Sequence, residues 1–130
     1  MSTLEVSNLN DGTTTVATTY ITNGSAKAWV NFNGTGTIAS RNSTNVSSLT
    51  DNGTGRFATS FTNAFSTADY TQSGGHGNGG YGTATGLYTR GFVDSVTTSS
   101  CGIGAFFDQS ASTGPQDNAY MSVTYHGDLA

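Results

Sequence analysis

Charge is scarce in this chain: of its 130 residues only 9% are Asp, Glu, Lys or Arg, and the four basic and eight acidic side chains leave a net charge of −4. The basic residues, Lys27, Arg41, Arg56 and Arg90, are scattered along the chain. That distribution excludes the positive footprint needed for a nucleic-acid backbone. Cysteine is limited to Cys101, so no internal disulfide can form and a stapled secreted module is excluded. No apolar run approaches the roughly 20 residues of a membrane-spanning helix, and Met1-Ser2-Thr3-Leu4-Glu5 lacks the basic and apolar stretches of a secretory leader. The expectation is a soluble product of the cytosol without membrane insertion. Strong surface helix formers are nearly missing too, with Glu5 the sole glutamate and Lys27 the sole lysine.

What fills the chain is Ser, Thr, Asn and Gly, which make up about half of it. Hydrophobic residues still reach 34% and aromatics 11%, enough for one core in one domain of ordinary size. Thr, Phe, Tyr and Val suit a pleated surface, and turn residues recur at short intervals. The pattern predicts an all-β fold, an antiparallel β-sandwich of about eight strands, with a jelly-roll among the arrangements such a count allows. Residues 1–25 read as an extended N-terminal arm and residues 26–130 as the sandwich domain. Within the arm, Leu4, Val6, Leu9 and Ile21 have too little local apolar surface to fold alone, so the arm is expected to pair with another chain. Turns are expected at Asn10-Asp11-Gly12 and Asn23-Gly24.

In the body, Ala28–Phe32, Thr35–Ser40, Asn45–Thr50 and Arg56–Thr62 read as strands, with Asp51-Asn52-Gly53-Thr54-Gly55 as a hairpin turn. Further strands are expected at Tyr81–Thr89, Gly91–Thr98, Gly102–Asp108 and Ala119–Tyr125. Asn63–Asp69 reads as a short turn. Ser73–Gly80, with five glycines in eight residues, reads as a loop unable to hold a strand register, and Ser110–Asn118 with Pro115 as another loop. The expected core is Val30, Phe32, Ile38, Val46, Leu49, Phe57, Phe61, Phe92, Ile103, Val123 and Tyr125.

Catalytic patterns are weak. Gly75, Gly77 and Gly80 match the spacing of a dinucleotide loop, but neither an apolar strand before them nor a helix after them is legible. His76 and His126 are fifty residues apart with no second ligand at metal spacing, and Cys101 has no neighbouring base. No cofactor, metal or enzymatic activity is expected. The aromatic residues Trp29, Tyr70, Tyr81, Tyr88, Tyr120 and Tyr125, set among short polar side chains, offer two uses: core or subunit packing, or stacking faces for a sugar ring.

Three stretches carry a family resemblance: Ala26-Lys27-Ala28-Trp29-Val30-Asn31-Phe32-Asn33-Gly34-Thr35-Gly36-Thr37, then Asn45 through Gly55, then Ser122-Val123-Thr124-Tyr125-His126-Gly127-Asp128. Together they resemble virion structural proteins of tailed bacteriophages, especially tail-fibre-like and particle-surface proteins of cyanophages and other marine phages. The Gly-rich run and the surroundings of Cys101 depart from that pattern. The resemblance implies a non-enzymatic virion component made in the host cytoplasm, assembled as a homotrimer with other virion proteins of the fibre, tail or capsid. A tail-fibre or fibre-tip part contacting host surface polysaccharide is the first reading, with His76, Tyr81, Asp117 and Asn118 as contacts. The alternative is a capsid decoration (cement) protein docked on the major capsid protein.

Overall fold

The computed structural model describes residues 5–77, 96–109 and 112–130. They form an all-β, sandwich-like fold of antiparallel sheets with one short helix. In chain order the elements are β1 (Asn8–Asn10), β2 (Thr15–Ala17), α1 (Thr18–Gly24), β3 (Ala28–Asn33), β4 (Ala39–Thr44), β5 (Val46–Asp51), β6 (Arg56–Phe61) and β7 (Thr71–Gly77). They continue with β8 (Ser100–Gly104), β9 (Phe106–Gln109), β10 (Ser112–Pro115) and β11 (Tyr120–His126). The order β4-β3-β11-β7 makes a four-stranded sheet and β5-β6-β8 a three-stranded one, while β1-β2 and β9-β10 are two-stranded ribbons.

Alternation builds the core between the two larger sheets. Ala28, Val30 and Phe32 of β3 and Met121, Val123 and Tyr125 of β11 point inward from one sheet, and Phe57, Thr59, Phe61, Cys101 and Ile103 meet them from the other. Phe32 meets Phe57 edge to face with ring centroids 5.3 Å apart, and Tyr125 meets Phe61 at 5.0 Å. Of the expected core, Val30, Phe32, Phe57, Phe61, Ile103, Val123 and Tyr125 are buried, whereas Ile38, Val46 and Leu49 pack half-buried at its margin. Phe92 and the expected strand Tyr81–Thr89 lie outside the described residues, as does most of Gly91–Thr98. Ala28, Phe65, Cys101, Ala105 and Met121 join the core as well.

Two expected turns form as their chemistry requires. Asp11 Oδ1 accepts the Thr13 and Thr14 amides at 2.9 and 2.7 Å ahead of β2, and Gly12 takes a φ of +97°. Those amides, Thr14 first, hold the Asp11 carboxyl below its usual range. At the β5–β6 hairpin Gly53 and Gly55 supply positive φ, and Asp51 Oδ1 accepts the Gly53 amide at 2.8 Å.

Four expectations are corrected. Residues 73–77 are not a loop: β7 pairs with β11 at seven positions from Tyr120↔Gly77 to His126↔Thr71. Glycines weaken a strand's own register, but β11, anchored by Met121, Val123 and Tyr125, imposes one. The strand expected at Thr35–Ser40 instead starts at Ala39, because Gly36 at φ +62° and the Asn33 carboxamide, which binds Thr35, hold a turn there. Ser112–Pro115 pairs with Phe106–Gln109 rather than forming a loop. In the arm, β1 and β2 make a hairpin and Asn23-Gly24 ends α1, where the Lys27 ammonium donates back to the Thr22 carbonyl.

Buried hydroxyl and thiol groups predict an alkaline limit to stability. Burial pushes the Tyr70 and Tyr125 phenols above the usual range, with the Cys101 thiol adding to Tyr70, and burial likewise raises Cys101. Each is an acid whose neutral form the fold favours, so its contribution is complete below the unfolded pKa and is lost as pH rises toward the folded one. Urea midpoints should hold to about pH 8 and fall above about pH 9, where an unfolded cysteine and then tyrosine ionise. Cys101→Ala should flatten the earliest part of that fall. A midpoint unchanged to about pH 11 would refute the burial of these groups.

Candidate functional site

Of the residues expected to contact a host, none of those among the described residues is fully exposed. His76 sits on β7 opposite Met121, on the inward side of the four-stranded sheet, and is half-buried. Asp117 Oδ1 accepts the Gly55 amide at 2.7 Å, tying the segment after β10 to the β5–β6 turn. Asn118 is fully buried; its carbonyl accepts the Gly34 amide at 2.9 Å and its Nδ2 donates to the Gln116 carbonyl at 3.2 Å. Its expected role as an exposed contact is therefore corrected: the turn at Gly34 and the end of β10 close over it. Tyr81 lies outside the described residues, and so does Leu4 of the arm.

The arm presents an apolar surface. Val6, Leu9, Val16, Tyr20 and Ile21 are all exposed, Tyr20 at 76% and Ile21 at 47%. Among the described residues, the hydrogen bonds of residues 5–25 close within the segment or on Lys27, as with the Thr18 amide and hydroxyl on the Ser7 carbonyl. The helix α1 buries none of its residues. Water-exposed Ile and Leu at this density are costly unless another surface covers them.

The aromatic residues are divided between core and surface. Tyr70 stacks on Phe65 with centroids 4.4 Å apart, and its hydroxyl reaches the Ser100 and Thr97 carbonyls at 2.9 and 3.0 Å. Tyr125 is buried, its hydroxyl donating to Thr59 Oγ1 at 2.9 Å. Trp29 and Tyr120 go the other way, onto the outer face of the four-stranded sheet. There Trp29 stands opposite Thr124 and Thr44, Asn31 opposite Ser122 and Asn42, and Ser122 opposite Gly75.

This outer face is internally tied. Asn31 Nδ2 donates to Ser122 Oγ at 2.6 Å, and Ser73 and Thr124 share a hydroxyl hydrogen bond of 2.8 Å. Between the Asn31↔Asn42 and Phe32↔Ser40 pairs the register shifts, with Arg41 the extra residue of β4, and its guanidinium turns across the sheet to donate to the Phe32 and Ala119 carbonyls at 2.6 and 2.5 Å and to Asn31 Oδ1 at 3.4 Å. It also lies 4.6 Å from the centre of the Tyr120 ring. Trp29 and Tyr120 were visible in the sequence as aromatics among polar residues; Arg41 was not, since its partners lie far along the chain.

The thiol of Cys101 donates to Gln72 Oε1 at 2.8 Å from within the core, a packing position. Among the described residues no three His, Cys, Asp or Glu side chains gather, and no helix is long and apolar enough to cross a membrane. Gly75 and Gly77, two members of the dinucleotide-like spacing, lie in β7 rather than in a turn. Fold and surface thus define an all-β, sandwich-like protein with an apolar N-terminal segment and an outward aromatic and amide face. No protein family, curated protein or solved structure matches the chain.

Proposed function

We infer that this chain is a non-enzymatic structural subunit of a tailed-phage virion, exposed on the particle as a tail-fibre or fibre-tip component that meets host surface glycan. The observation that carries the reading is the exposed apolar set Val6, Leu9, Val16, Tyr20 and Ile21 on a segment hydrogen-bonded mainly to itself. Such a segment suits attachment to a second copy, a homotrimer under this reading, or to a neighbouring virion protein. The resemblance of residues 26–37, 45–55 and 122–128 to phage surface proteins supplies the setting. In the decoration alternative the same segment docks on the major capsid protein.

Deletion of residues 1–24 tests the assembly role. The sandwich should remain folded, because its core draws on β3, β6, β8 and β11. Oligomer mass by light scattering should fall to that of one chain, or incorporation into particles should be lost. A truncated chain that assembles and incorporates as the full chain does would refute the role. Locating its density on whole particles separates fibre from capsid.

A further inference from the structure

The geometry points to the outer face of the four-stranded sheet as a binding platform for an acidic oligosaccharide, held between Trp29 and Tyr120 with Arg41 facing its negative charge. The proposal rests on the host-glycan reading above and gives it a place. Trp29, half-buried, and Tyr120, exposed, lie on the same side of the same sheet, since the buried residues of β3 and β11 alternate in step. Tyr120 is four positions along β11 from Thr124, the partner of Trp29, so the two backbone positions stand about 14 Å apart across adjacent strands. A single sugar does not bridge that span, whereas a short chain of sugars does.

Between the rings lie Asn31 and Ser122, a hydrogen-bonded amide and hydroxyl pair suited to sugar hydroxyls. Beside them Gly75 and Gly77 are exposed or half-exposed, and nothing lies within 4 Å of where their side chains would begin. This leaves a shallow trough along the edge of Tyr120 and Ser122 for a ligand backbone. Tyr120 is 52% exposed although Arg41 covers part of its ring, so one surface remains for stacking. The Arg41 contact also holds the ring in place before a ligand arrives, which lowers the entropy lost on binding.

Charge selects the ligand class. Although the chain carries eight acidic residues against four basic ones, none of the residues of β3, β4, β7 or β11 is acidic, and Arg41 is the one Lys or Arg among them. Its partners are two backbone carbonyls and the Asn31 amide oxygen, all neutral, so the guanidinium charge is not cancelled by a carboxylate there. In a protein of net charge −4, strands without a carboxylate and with one arginine repel an anionic chain less than an acidic face would.

The test is calorimetric titration of the full chain with a polygalacturonate oligosaccharide, and with maltose oligomers of the same length. Binding of the acidic oligomer should weaken roughly tenfold with Tyr120→Ala, the loss of one stacked ring. Arg41→Gln should erase the preference for the acidic oligomer. Ser122→Asp is the second variant, chosen because its carboxylate can still accept the Asn31 amide proton while repelling the ligand; it should abolish binding with unchanged circular dichroism. Equal binding of both oligomers by the wild type, or no binding of either, overturns the proposal. So does a loss with Tyr81→Ala but none with Tyr120→Ala, which returns the site to the loops. These readouts are independent of assembly: a platform that fails while truncation of the arm still breaks the oligomer leaves the structural role standing.

Discussion

Replacing Phe61 by Ala is expected to cost about 3–5 kcal/mol of unfolding free energy, the range for truncating a buried aromatic ring whose cavity cannot collapse. Phe61 is 7% exposed and meets three rings edge to face: Phe65 at 4.9 Å, Tyr70 at 5.7 Å and Tyr125 at 5.0 Å between centroids. These rings come from different parts of the chain, and Phe65 in turn bridges to Leu129 near the C-terminus. The void would therefore open where β6, the segment after it and β11 converge. Urea unfolding followed by near-ultraviolet circular dichroism measures the loss and reports the aromatic packing directly. Val46→Ala, at the half-buried margin of the core, is the comparison and should cost clearly less. Equal costs for the two would show that the ring cluster does not organise the core.

The second large effect is expected at Gly55. Its φ is +66°, and a Cβ there would run into the Ala105 carbonyl, the Gln116 amide and the Pro115 side chain. Two of those are backbone groups that cannot swing aside. Gly55→Ala should therefore cost about 2–5 kcal/mol, combining left-handed backbone strain with overpacking. The same place is tied by the Ala105 amide to the Gly55 carbonyl at 2.8 Å and the Gly55 amide to Asp117 at 2.7 Å. Faster amide exchange at Gly55 and Ala105 should accompany the loss, since the β5–β6 turn and the β9–β10 ribbon would part. Gly53→Ala separates the two causes: Gly53 has φ +111° but nothing within 4 Å of an added Cβ, so it should show the strain without the clash. Because φ +111° is the more strained of the two for an L residue, Gly53→Ala as damaging as Gly55→Ala would mean that backbone strain at Gly53 matches strain and crowding together at Gly55.

Asn118 shows how a site residue is misread from sequence. In a run of Ser, Gly, Pro, Asp and Asn it reads as an exposed loop contact, yet it is fully buried and its carbonyl holds the Gly34 amide, while the Asp117 carboxylate beside it caps the Gly55 amide. The residue types that suit adaptable surface contacts also satisfy buried backbone groups, and only the presence of a partner chain segment separates the two uses. Trp29 and Tyr120 illustrate the reverse. Alternation on β3 and β11 already opposed Trp29 to Val30 and Tyr120 to Met121, so their outward side was legible. That they share one face with Arg41 was not.

What the sequence determined by itself was local. Scarce helix formers and abundant Thr, Phe, Tyr and Val set the β class, period-two alternation assigned the buried side of β3, β6 and β11, and Asx chemistry with glycine placed the turns at residues 10–12 and 51–55. Tertiary structure alone decided that the glycine-rich residues 73–77 are a strand, that β9 and β10 pair, and that residues 18–24 wind into a helix rather than extending. It also decided which tyrosines are core and which are surface. The physical reason is that turn geometry and side-chain alternation depend on neighbours a few residues away. Ladder hydrogen bonds, register and the crossing of Arg41 over Tyr120 depend on strands brought together from distant parts of the chain.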